Sequence, residues 1–273
     1  MWGPALSFLS SLAATSHGTG AGLRSWPAMD RFVFLLMSLA LLALWLCLWA
    51  LRADLRSAML KVSLVGGGAG LVAELWYFRD YWRPPVLTGV ARPSPEDALF
   101  GFAVTGVAFA AHKAVFGATM APGAPRRYPV AAGLGLAGLA ALVAGTTAGT
   151  NSIFVSSAAF VVCAAVMATL RRDLIRPAAE SAALLVAAML PIYLLLFDVL
   201  SPTYWDRYWL LRHTSWGVLV LGNIPVTEIL WYASWGALAG IAYEFTTGRL
   251  LRPLDRPAAT LASGPGTQTR ATP

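Results

Sequence analysis

The sequence predicts an all-α integral membrane protein with seven transmembrane helices in a three-plus-one-plus-three parallel internal repeat. Three observations carry this. Of the 273 residues, 58% are hydrophobic and 12% charged, against about 45–50% and 25% in an ordinary soluble domain. Seven stretches meet or approach the roughly 20 apolar residues that cross a hydrocarbon core about 30 Å thick. A short motif, Pro-x-x-Glu preceded by a carboxylate and Tyr-Trp cluster, stands once in each half of the chain.

Taken in order, residues 1–29 form a variable N-terminal segment. Gly, Ser, Thr and Pro interrupt it, and its apolar piece Ala5 to Ala14 has no basic residue before it, so it does not read as a signal peptide; with Met29 just outside the first span, an overlong start is one reading. Residues 30–120 form the first three-helix unit, with spans Arg31 to Leu51, Met59 to Tyr77 and Ala98 to Phe116. Gly66, Gly67, Gly68 and Gly70 in the second span follow no strand and precede no Gly-Lys-Ser, which sets a nucleotide loop aside and leaves close helix packing as their role. Residues 121–150 hold a linking span, Val130 to Ala148, and the uncharged Gly145 to Asn151 reads as a tight turn. Residues 151–248 form the second unit, with spans Ile153 to Leu170, Ala178 to Leu200 and Val226 to Phe245. Residues 249–273, rich in Pro, Ala, Thr and Gly, read as a disordered tail.

Charge narrows the functional classes. The net charge of +7 falls in short clusters between apolar runs and makes no basic stripe, so nucleic acid is not an expected partner. The side that holds the loops after spans one, three and five and the C-terminus carries thirteen of the twenty Lys and Arg residues, which places the N-terminus outside and the C-terminus inside the cell (cytoplasmic) membrane. Cys47 and Cys163 both lie inside apolar runs. No His, Asp and Glu spacing makes a metal site, and span seven has no lysine for a retinal Schiff base.

The chemistry concentrates at the repeated motif. In the first half, span two runs into Glu74-Leu75-Trp76-Tyr77-Phe78-Arg79-Asp80-Tyr81-Trp82, then Pro93-Ser94-Pro95-Glu96-Asp97, with Phe100 one turn further on. In the second half, Asp198 and Tyr204-Trp205-Asp206-Arg207-Tyr208-Trp209 precede Pro225-Val226-Thr227-Glu228, with Trp231 and Tyr232 following. Parallel units put both motifs on one membrane face. As a helix opening, the motif has a structural logic: proline tolerates the first turn, and the helix dipole favours a glutamate there. Two such glutamates, each beside a Tyr-Trp cluster, also form the kind of carboxyl pair in low dielectric that proton transfer requires. The Tyr and Trp residues stand where an interfacial aromatic belt is expected; their π faces could instead stabilise a cation. Asp80 and Asp206 could equally pair with neighbouring arginines.

At these segments the chain resembles the lycopene cyclase domain family of the heterodimeric or fused type, small membrane proteins built from two three-span units. The family motif reads Pro-x-Glu-Glu; here Pro95 and Thr227 occupy the third position, and Asp97 could stand in for the missing acid in the first copy. The resemblance implies proton-initiated, redox-neutral closure of the ψ-end of lycopene or a related carotenoid, with no cofactor. It implies Glu96 and Glu228 as acid and base and Asp80 and Asp206 as orienting or charge-stabilising groups. Glu74, Asp97, Asp198, Trp76, Tyr81, Trp82, Phe100, Trp205, Trp209, Trp231 and Tyr232 would then line the substrate site. Expected partners are the bilayer, a hydrophobic carotenoid or isoprenoid substrate and other carotenoid-pathway enzymes. Two alternatives stay open: a carotenoid- or lipid-binding membrane protein on the same fold, and a small proton-coupled transporter. A cyclase predicts an apolar tunnel ending at both glutamates, and a transporter a polar path between the faces.

Overall fold

The computed structural model describes residues 29–87, 89 and 93–254; the N-terminal segment through residue 28 and the tail beyond residue 254 lie outside them. All seven apolar runs are helical. They form α1 (Asp30–Leu51), α2 (Arg56–Asp80), α3 (Pro95–Val115), α4 (Tyr128–Thr147), α5 (Ser152–Leu170), α6 (Ile175–Tyr193) and α8 (Val226–Thr247), with a short α7 (Tyr204–Tyr208) between the last two. Helix α6 contains Pro191 and continues as a π-helical segment, Leu194–Leu200.

Among the described residues, six segments are long and apolar enough to cross a membrane: Asp30–Leu51, Ala53–Asp80, Pro95–Val115, Tyr128–Thr147, Ser152–Leu170 and Arg172–Leu200. The chain is therefore read as a multi-pass membrane protein. The seventh, α8, is as long as α1 but carries Glu228 and Glu244, and it packs inside the bundle against α6, α5 and α3. Helix α3 is its counterpart, packed against α2, α1, α8 and α6. Thus α3 and α8 lie back to back at the centre with two helices against each, and α4 lies outside, against α5, with Leu142 alone buried along its length.

Small residues let these helices approach. A Cβ on Gly66 would strike Thr105 and the Gly101 carbonyl, one on Gly70 would stand 2.5 Å from the Asp97 carbonyl oxygen, and one on Gly236 would stand 2.9 Å from the Ala182 Cα. Gly66, Gly67 and Gly70 of span two serve close packing, as the sequence indicates, whereas a Cβ on Gly68 would meet nothing within 4 Å.

Each half closes at the same end by the same device. Arg52 follows α1, enters a 3₁₀ turn (Ala53–Leu55) and chelates Asp54 through Nε (2.9 Å) and Nη2 (2.7 Å). It also donates to the Lys113 carbonyl at the end of α3 and to the Ala118 carbonyl (2.6 Å). Arg171 follows α5, enters the 3₁₀ turn Arg172–Leu174, and chelates Asp173 through Nε (2.8 Å) and Nη2 (2.5 Å). It donates in turn to the Glu244 carbonyl at the end of α8 (3.2 Å) and to the Arg249 carbonyl (3.0 Å). The five donors of a guanidinium suit this work, because helix C-termini leave carbonyls without intrahelical partners.

Between the clamped ends, Lys113 of α3 and Glu244 of α8 form an ion pair of 2.7 Å with both side chains fully buried. Lys113 Nζ also donates to the Phe109 carbonyl (2.6 Å) and the Gly240 carbonyl (3.2 Å) and lies 4.0 Å from the Phe109 ring centroid.

The reading of residues 249–273 as one disordered tail is corrected at its start. Arg249–Pro253 is a strand, β4, antiparallel to β1 (Ala118–Pro122) in the register Ala118↔Pro253 to Pro122↔Arg249. The turn before it rests on Gly248, at φ 70°, the left-handed C-cap that glycine adopts without penalty. Composition alone hid this strand, whose ladder partner lies in the loop before α4. A second ladder joins β2 (Leu219–Val220) to β3 (Ile224–Pro225) just before α8.

Candidate active site

The two motif loops meet at the end of the bundle opposite the arginine clamps. Trp82 pairs with Trp209 in an antiparallel bridge, the Arg83 amide donates to the Tyr208 carbonyl and the Leu210 amide to the Tyr81 carbonyl, both at 2.9 Å. Tyr81, Trp82, Tyr204, Trp205, Tyr208 and Trp209 are all buried. These aromatics make a plug inside the protein where the sequence default was a lipid-facing belt; Trp76 and Tyr77 are half-buried. Edge and tilted contacts run through the plug: Trp82 to Phe34 (5.1 Å between centroids), Phe34 to Phe100 (5.9 Å), and Phe100 to Trp231 (5.9 Å) and Tyr232 (6.4 Å). Phe100 and Tyr232 each lie one turn past their motif glutamate, so this chain of rings links the openings of α3 and α8.

Both motifs open helices with the glutamate in the first turn, as the sequence predicts, but the motif prolines stand just outside: Pro225 is the N-cap of α8 and Pro93 precedes the N-cap of α3. In α3, Ser94 is the N-cap of a capping box with Pro95 at the first helical position; the Ser94 amide donates to Asp97 Oδ2 (2.6 Å), and Asp97 closes the helix end. Glu96, 4% exposed, accepts from the Leu87 amide (2.9 Å) through Oε1, and its Oε2 has no hydrogen-bond partner among the described residues.

Glu228, in the first turn of α8 and 6% exposed, has a different environment. Its two oxygens are approached by two phenols. Tyr81 Oη donates to Oε1, and Tyr193 Oη donates to Oε2 at 2.5 Å. Tyr81 Oη also lies 2.9 Å from Thr227 Oγ1, and Tyr193 Oη lies 3.1 Å from Tyr232 Oη. Thr227, at the motif position where the resembled family carries an acid, thus supports a phenol that holds the remaining glutamate. The cavity beside Glu228 is walled otherwise by apolar side chains, among them Met189, Leu190 and Ile229, and amounts to about 10 Å³. That is room for one water. A wider apolar groove of about 400 Å³ lies on the other side of the same helix, between α1 (Leu36, Ala40) and the Pro191–Leu200 stretch.

The remaining predicted site residues divide. Trp231 donates to Tyr77 Oη (2.9 Å), which itself donates to Ser156 Oγ (2.8 Å), so this pair lies on the α5 side of the site. Glu74 is buried in α2. Asp80 binds the N-terminus of α5: its Oδ2 accepts from the Ser152 amide (2.8 Å) and its Oδ1 from Ser152 Oγ (2.5 Å). Asp198 in the π segment accepts from the Asn223 amide (2.9 Å) and holds the loop before α8. Asp206, half-exposed, pairs with Arg212 at 2.5 Å and stands outside the enclosed cluster. Trp205 stacks on Tyr193 (6.1 Å, 22°), while Trp209 meets Trp205 edge-on.

Sequence reasoning passed over Tyr193 and Asp30. Tyr193 sits in an unbroken apolar run, and the only local sign was Pro191 two residues earlier. Asp30, 2% exposed at the start of α1, accepts from Ser201 Oγ (2.6 Å), Arg207 (2.7 Å) and Tyr208 Oη (3.0 Å). Burial and the hydrogen bond to Asp30 push the Tyr208 phenol above its usual range. The same Asp30 contact raises Arg207, whose guanidinium is otherwise solvated.

Residues 151–246 match the family model described as lycopene cyclase. The matched stretch supports the recognition of a lycopene cyclase domain family member and contains Tyr193, Thr227, Glu228 and Tyr232; Tyr81 and Glu96 come from the half outside it. No curated protein and no solved structure matches the chain.

Proposed function

We propose that the protein is a membrane carotenoid cyclase acting on the ψ-end of lycopene or a related acyclic carotenoid. The observation that carries the proposal is the burial of Glu228 among aromatic rings, inside the stretch that matches the lycopene cyclase family. An ionisable group enclosed in a membrane protein is costly and marks function by default.

In this reading a protonated glutamate gives its proton to the terminal double bond. A tertiary cation forms, the neighbouring alkene attacks it to close a six-membered ring, and loss of a ring proton to a carboxylate leaves a new double bond. No atom is gained or lost overall and no electron acceptor is required. The enclosing indole and phenol faces suit a cation passing between steps, since π faces attract positive charge. Glu228 and Glu96 serve as acid and base, one from each three-helix unit. The units are tandem repeats joined by α4, α8 completes seven spans, and the chain lies N-terminus out in the cell membrane.

The test is expression in a lycopene-accumulating bacterial host followed by pigment chromatography. A monocyclic or bicyclic carotene is the expected product. Glu228→Gln and Glu96→Gln should each abolish it while the protein stays in the membrane, and retained cyclisation in either variant removes that residue from the mechanism.

A further inference from the structure

Glu228 is met from two sides by phenols that come from different halves of the protein. Tyr81 stands at the end of α2 in the first half, and Tyr193 on α6 in the second. Each donates to a different carboxyl oxygen, and each phenol is backed by a further hydroxyl, Thr227 behind Tyr81 and Tyr232 behind Tyr193. Tyr81 and Tyr193 are 2% and 1% exposed, and the space beside the carboxyl has room for one water at most. Around the carboxyl the wall is otherwise aliphatic and aromatic.

This arrangement matters when the proton leaves. Transfer from Glu228 to an alkene carbon breaks one O–H bond, forms one C–H bond and leaves a carboxylate facing a carbocation. A bare carboxylate in such surroundings is strongly disfavoured. Two O–H donors already aimed at its two oxygens supply the stabilisation without reorganisation, as preorganised donors do for a developing anion. We propose that Tyr81 and Tyr193 are positioning residues that hold the Glu228 carboxyl in one orientation and stabilise the carboxylate it becomes, which makes Glu228 the proton donor. This rests on the cyclase reading. It further implies that the donor site is composite: the second unit holds the acid and one phenol, and the first unit supplies the other.

The experiment uses the full chain in lipid vesicles with lycopene as probe, comparing wild type, Tyr81→Phe, Tyr193→Phe and Glu228→Gln. Infrared spectra first locate the Glu228 carboxyl band as the one lost in Glu228→Gln. Each Tyr→Phe variant should shift that band, and each should lower kcat per folded protein by about 10- to 150-fold, the span for one hydrogen bond to a charged group. KM should stay near wild type, because each variant keeps its aromatic ring and loses only the hydroxyl that is bonded to the acid. A merely structural role would lower the yield of folded protein and leave both the band and kcat unmoved. An unmoved band in both variants overturns the clamp whatever the activity. A kcat within about twofold of wild type overturns the catalytic role. If the wild-type chain leaves lycopene unchanged while the band still shifts, the cyclase reading fails and the clamp stands.

Discussion

Lys113 and Glu244 offer the sharpest test of how the halves are held together. Both side chains are fully buried, the ion pair is 2.7 Å long, and the two remaining ammonium protons go to the Phe109 and Gly240 carbonyls. Replacing Lys113 by Met leaves an uncompensated carboxylate between α3 and α8, and replacing Glu244 by Gln leaves an uncompensated ammonium. Breaking one side of a buried pair costs about 3–5 kcal/mol, whereas exchanging both partners for packed apolar residues is about neutral. For a chain of this size each kcal/mol shifts a melting midpoint by about 2–4 °C, so each single variant should melt about 6–20 °C lower. The double variant Lys113→Met/Glu244→Leu should recover most of the loss. The assay is fluorescence-detected size exclusion of detergent-solubilised protein after stepwise heating. Single variants within about 1 °C of wild type, or a double variant no better than the worse single, would refute the reasoning.

Three further outcomes follow from the same structure. Gly66→Leu forces a side chain into Thr105 and the Gly101 carbonyl, and should cost about 1–3 kcal/mol or more by prising α2 from α3; the same heating assay reads it, and an unchanged midpoint contradicts the close approach. Thr227→Val removes the hydroxyl behind Tyr81 and should lower turnover on lycopene by about tenfold or less, a smaller loss than Tyr81→Phe; an equal or larger loss would mean that Thr227 contacts the acid more directly. Tyr208 holds its proton more tightly folded than unfolded, so its contribution is fully present below the ordinary phenol pKa of about 10 and fades as pH rises through the higher folded value. Alkaline unfolding followed by phenolate absorbance should therefore begin earlier in Tyr208→Phe, and coincident curves would show that the Asp30 contact adds nothing.

Helix positions were legible because the apolar runs are long and their ends are marked. With the π-helical segment Leu194–Leu200 counted as the continuation of α6, predicted and observed boundaries differ by at most about one turn. The motif glutamates were legible too, since an acid in the first turn of a helix has a local reason to be there. What the sequence hid depends on contacts between distant segments. Tyr193 carries no local sign of its role beyond the nearby Pro191, because a tyrosine in an apolar run reads as core until its hydroxyl is seen to point at Glu228. Asp80 and Asp206 looked alike in sequence, each beside an arginine, yet one binds the start of α5 and the other sits in a surface ion pair. Lys113 and Glu244 stand near the ends of two apolar runs far apart in sequence, and their pairing needs α3 and α8 to be neighbours. One signal was there to be read: Arg52-x-Asp54-Leu55 and Arg171-x-Asp173-Leu174 are the same four-residue pattern, each ending the first helix of its half.

The ladder between β1 and β4 bears on how the chain is made. β1 leaves the ribosome early, before α4, and finds no ladder partner until Arg249–Pro253 has been translated, after every long helix described here. Arg171 likewise waits for the Arg249 carbonyl. Insertion of the helices and closure of the fold are thus separate events, the second timed by the last strand. A nascent chain released before Arg249 would insert its helices yet present an open backbone edge at the membrane surface, a mark by which proteolytic surveillance could tell a truncated molecule from a finished one.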